Sequence, residues 1–105
     1  MPQGSRRVTE ADLTVPALQV IRDQPDGRIT TTKLISELRK VMNLSPGDEE
    51  KLEGRRDDHF SQIVRNIKSH EGVPGNLLTE GRLERIPYGF RITDAGRLYL
   101  KHNGI

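Results

Sequence analysis

Four polar side chains, Gln62, Arg65, Asn66 and Ser69, fall inside the stretch HFSQIVRNIKSH that runs from residue 59 to 70. Side chains of these types bond phosphate oxygens and base edges. Arg pairs bidentately with guanine, Asn and Gln pair with adenine, and Ser bonds either kind of group. The apolar residues between them, Phe60, Ile63, Val64 and Ile67, recur at i, i+3, i+4 and i+7, which is one stripe of an amphipathic helix. The polar four therefore share the outward face. Taken alone, such a face is more often a plain solvated surface, so its context has to decide.

Other residues could join the same chemistry. Arg55 and Arg56 stand just ahead of the stretch and could hold phosphate, or could simply offset the adjacent Asp57 and Asp58. Arg85 and Arg91 flank a turn, Pro87-Tyr88-Gly89, that would carry an exposed aromatic at its tip. His59 and His70 are eleven residues apart, not the i, i+4 spacing of two ligands on a helix, and the chain has no cysteine. No metal site or cofactor is expected. Catalysis is not expected either. The pairs Glu49-Glu50 and Asp57-Asp58 diverge on a helix, and the glycines of GVPGN follow a helix instead of opening one, so they form no phosphate cradle.

The elements that must position these groups can be read in order. ADLTVPALQVIRDQPDG predicts a first helix over residues 13–23, with Pro16 confined to its first turn, followed by a Pro-Asp-Gly turn. Ile29 marks a very short strand. A second helix follows, capped by Thr30 or Thr31, with Leu34, Ile35, Leu38, Val41 and Met42 inward. Residues 46–52 suggest a short helical turn, closed by Gly54. The third helix spans residues 58–70, with acidic residues at its start and Gly72 able to end it. Leu77 and Leu78 dip into the core from the glycine-rich segment EGVPGNLLTEG. RLERIPYGFRIT then predicts a two-stranded hairpin. A final short helix is capped by Thr93 and turns Leu98 and Leu100 inward.

Size and composition set the limits. At 105 residues the chain fits one domain, expected over residues 13–105 behind a flexible polar tail, 1–12. With 32% hydrophobic and 4% aromatic residues, the core must be small and built mainly of Leu, Ile and Val. The 30% of charged residues mix both signs, which favours a folded, solvated surface over a disordered polyelectrolyte. No apolar run approaches a membrane span and the N-terminus lacks a signal-peptide core, so a cytoplasmic protein is expected. The net charge of +2 is small but unevenly placed. Residues 1–54 hold eight Lys/Arg against nine Asp/Glu, and residues 55–105 hold nine against six. The basic half contains the opening stretch, as phosphate contact would require.

Three helices followed by a hairpin and a last helix give an α+β, mostly helical chain with the order of a winged helix, a helix-turn-helix variant. LERIPYGFRITDAGRLYL resembles the wing and final helix of winged-helix domains. LTVPALQVIRDQPDG and LSPGDEEKLEGRRDDHF resemble, more narrowly, the N-terminal domains of Mrr-like restriction proteins and related modification-dependent endonucleases. The resemblance covers about residues 13–101, and one departure from it is the added segment EGVPGNLLTE ahead of the wing.

The resemblance implies double-stranded DNA as partner, methylated at N6 of adenine for one subset, and attachment to a nuclease domain that would do the cutting. It places Gln62, Arg65, Asn66 and Ser69 in the major groove, Arg85, Tyr88 and Arg91 on or beside the wing, and Arg55 and Arg56 against phosphate. Two other classes fit the same architecture: a free-standing transcription regulator and a winged helix used for protein–protein contact.

Overall fold

The computed structural model describes residues 8–42 and 58–105. The helical turn expected at 46–52 and the candidate pair Arg55 and Arg56 lie outside the described residues. Among the described residues the architecture is α+β, with four helices and a small antiparallel sheet of three strands. Helix α1 spans Thr14–Arg22, strand β1 Arg28–Thr30, helix α2 Thr31–Val41 and helix α3 His59–Ser69. Strands β2, Leu83–Ile86, and β3, Gly89–Ile92, form the hairpin, and helix α4 covers Asp94–His102.

Three of the helix starts are fixed by side-chain caps. The Thr30 hydroxyl accepts from the Lys33 N–H at 3.2 Å, Asp58 accepts from Ser61 at 2.9 Å, and Thr93 accepts from Gly96 at 3.0 Å. Each satisfies one of the amide donors that a helix N-terminus leaves over. Pro16 sits in the first turn of α1, where its missing N–H costs nothing.

The sheet order is β1-β3-β2, so the last strand in the chain is the central one. Register puts Ile29 opposite Phe90, and Leu83 opposite Ile92. Because side chains alternate across a strand, Ile29, Leu83, Arg85, Phe90 and Ile92 share the face that meets the helices. Arg28, Glu84 and Arg91 share the opposite, outer face. Phe60, Phe90, Leu13, Leu18, Leu34 and Leu38 lie fully buried at the centre of the core.

Gly89 belongs to β3, not to the hairpin tip, which is the two residues Pro87 and Tyr88. A Cβ on Gly89 would lie 1.9 Å from the Ile29 carbonyl oxygen, so only glycine lets β1 close on β3 here. Tyr88 has φ of +64°, a left-handed conformation that costs a residue with a Cβ about 1 kcal/mol.

Several expectations are corrected. Residues 8–12 belong to the fold and not to a flexible tail. Val8 is buried, a 3₁₀ turn spans Ala11–Leu13, and the Asp12 carboxylate accepts from the Thr9 N–H at 2.9 Å. Leu98 is 52% exposed while Leu100 is buried. Two residues along a helix is a rotation of about 200°, so both could not face the core. Val41 is also exposed, as the last residue of α2. In the turn before β1, Asp26 has positive φ as well as Gly27. No helix among the described residues is long and apolar enough to cross a membrane.

Candidate nucleic-acid interface

Helix α3 is amphipathic as its spacing predicts. Phe60, Val64 and Ile67 are buried, while Arg65 and Ser69 are exposed. Gln62 and Asn66 are half-buried, and the Gln62 side-chain amide donates to Asn66 Oδ1 at 2.8 Å. The bond between residues one turn apart holds two amides side by side on the helix surface.

The start of α3 is anchored to α2. Asp58 accepts from the Ser61 backbone and from the guanidinium of Arg39, which also donates to the Ser61 hydroxyl at 3.0 Å. Burial pushes the Asp58 carboxyl up, but the bonds from Ser61 and Arg39 outweigh it and hold the group below its ordinary value. Arg39 also lies over the Phe60 ring, 5.1 Å from its centroid.

The far end of α3 is anchored to the hairpin and to the 71–80 segment. Arg85 Nε donates to Glu71 Oε1 at 2.9 Å and its Nη2 donates to the Lys68 carbonyl at 3.0 Å. That guanidinium thus closes the carbonyl end of α3, where a cation also suits the helix dipole.

Asn76 is the hub of the segment. Its carbonyl oxygen accepts from the N–H groups of Leu78 and Thr79, at 2.8 and 3.1 Å. Its amide donates to the Ile67 carbonyl at 2.9 Å and to Glu10 at 3.0 Å. The other Glu10 oxygen lies 2.7 Å from His70 Nδ1. The 71–80 segment is therefore built against the N-terminal turn, and Leu77 and Leu78 are buried as expected.

Between α3, the start of α2 and the hairpin tip lies a groove of about 490 Å³, lined by Thr30, Thr31, Thr32, Arg65, Lys68 and Tyr88. The Thr31 N–H donates to the Tyr88 carbonyl at 2.9 Å, tying the tip to the helix start. Lys68 is half-buried, with its Nζ 5.2 Å from the Phe90 ring centroid. Burial, then repulsion from Arg85, lowers its pKa.

The candidate residues thus divide. Arg65 and Tyr88 line one groove. Gln62, Asn66 and Ser69 continue the surface along α3. Arg85 serves the end of α3, although it stands on the same side of the hairpin. Arg91 lies on the outer face of the sheet, opposite Arg28 and 3.4 Å from Glu84, away from α3. Alternation along β3 dictates that separation, because Phe90 must face the core.

Sequence reasoning missed Lys68 and the three threonines. Lys68 follows Arg65 by three residues, which makes the two neighbours on one flank of the helix. The run Thr30-Thr31-Thr32 signals a helix cap and carries no charge to mark it as part of a groove.

Comparison with known proteins finds no matching family model, no matching curated protein and no matching solved structure.

Proposed function

We propose that this chain is a double-stranded DNA-binding module of the winged-helix type, with α3 as its recognition helix and the β2–β3 hairpin as its wing. The observation that carries the reading is the shared groove. Arg65 and Lys68 on α3, and Tyr88 on the hairpin tip, converge on one concave surface beside the polar face of the same helix. Cations neutralise phosphates and fix orientation, while the Gln62, Arg65 and Asn66 side chains supply the bonds that tell one base edge from another.

The module does no chemistry of its own. It serves as the target-recognition domain of a restriction endonuclease, a role that rests on the resemblance carried by LTVPALQVIRDQPDG and LSPGDEEKLEGRRDDHF. Reading of N6-methyladenine needs an apolar or aromatic surface for the methyl group. Tyr88 supplies the aromatic. Val73 and Pro74 border a different cavity, with Glu10, Ala11 and Thr14.

The test is a fluorescence-anisotropy titration of matched duplexes, unmethylated and N6-methylated, at two salt concentrations. Duplex binding that weakens steeply with salt supports the reading, because phosphate contact releases counterions. A preference for the methylated duplex supports a modification reader. Absence of binding at either salt overturns the reading and favours a protein-contact role.

A further inference from the structure

Tyr88 is hard to explain by the fold. It is the second residue of a two-residue turn after Pro87, with φ of +64°, where turns of this pattern ordinarily carry Gly or Asn. Burial does not compensate, because the side chain is 85% exposed. The bond from the Thr31 N–H goes to its backbone carbonyl and could be made by any residue. A glycine would hold the turn with less strain. A costly conformation kept for an exposed aromatic ring points to what the ring meets outside the chain.

What surrounds it narrows the choice. Tyr88 lines one groove together with two cationic residues, Arg65 and Lys68, and with Thr30, Thr31 and Thr32. Lys68 is held by its packing over Phe90 rather than waving in solvent. A flat π surface beside positive charge is complementary to a nucleotide, whose base stacks and whose phosphate pairs. Paired, stacked DNA shows its bases only edge-on in the grooves. A base offers its face to a protein ring only when it has left the stack.

We infer that the wing-tip groove takes an unstacked nucleotide, with its base on the Tyr88 ring and its phosphate between Arg65 and Lys68. The inference rests on the DNA-binding reading and deepens it: DNA carrying an unpaired or extruded base is bound in preference to a fully paired duplex.

The experiment compares the full chain, Tyr88→Phe and Tyr88→Gly on a paired duplex and on the same duplex with a single-nucleotide bulge. The protein and Tyr88→Phe are expected to bind the bulged duplex about tenfold tighter, the size of one base–aromatic stack. Tyr88→Gly is expected to bind both duplexes equally. Because glycine relieves the positive φ, its melting temperature should equal or exceed that of the parent chain, which excludes misfolding as the cause. Equal affinity of the parent chain for both duplexes overturns the inference and leaves the DNA-binding reading intact. Retention of the preference by Tyr88→Gly overturns it as well. Failure to bind either duplex overturns both.

Discussion

The Arg39 guanidinium donates to the Asp58 carboxylate, and so joins the last turn of α2 to the cap of α3. One carboxylate thereby starts the helix that carries the candidate interface and fixes its angle to the helix before it. Replacing Asp58 by Ala removes an N-cap and leaves Arg39 and Ser61 without their charged acceptor. A stability loss of about 2–3 kcal/mol is expected in urea denaturation.

The same carboxylate makes stability depend on acid. Its folded pKa is depressed, so its contribution is complete above the unfolded value, about 3.9, and is lost as pH falls through the lower folded value. Thermal melts of the parent chain and Asp58→Asn should differ by a constant amount at neutral pH. The gap should close in the acid range. A gap that persists unchanged to the lowest pH would mean that the charge of Asp58 contributes nothing.

Arg65 tests the role of α3 directly. Arg65→Ala is expected to weaken duplex binding by about tenfold or more. If Arg65 contacts phosphate, the slope of log affinity against log salt should also fall by about one. Unaltered affinity would remove α3 from the interface.

Asn76 should behave as a structural residue of the 71–80 segment. Asn76→Ala would leave the Ile67 carbonyl and the Leu78 N–H buried without partners, at a cost of about 2–3 kcal/mol. Asn76→Asp should be no milder, since it loses the donor and sets a second carboxylate against Glu10. Chemical denaturation ranks the three proteins.

Gly89→Ala is expected to be the most damaging single methyl in the sheet. The added carbon would overlap the Ile29 carbonyl, a backbone atom that cannot rotate away. Loss of β1–β3 pairing should cost about 3 kcal/mol or more, seen as a large drop in melting temperature.

Much of this could be read from residue order. The helix periodicities, the caps Thr30 and Thr93 and the hairpin all follow from local patterns, because each depends on neighbours within a turn or two. Legibility fails where the deciding partner is distant in sequence. Asn76 gives no sign that Glu10 and Ile67 will use its amide. Arg85 and Arg91 look alike beside the tip, yet strand alternation sends one to α3 and the other to the outer face. Leu98 fails for a simpler reason: apolar type alone does not fix the angle of a residue around a helix. Gly89 looks like a turn residue because a Tyr-Gly pair resembles a tip, whereas the approach of β1 is what demands it.

The placement of β3 between β1 and β2 also bears on how the chain folds. Arg28 pairs with Arg91, roughly sixty positions later, so β1 has no sheet neighbour until the hairpin has been made and docked. Closing so wide a loop is an entropic barrier that the packing of α2 on α3 lowers only in part. Refolding should therefore take on the order of milliseconds or longer, unlike the microseconds open to helical bundles of this size. A nascent chain that has not yet released Phe90 from synthesis holds α1 and α2 without the strand that packs against both.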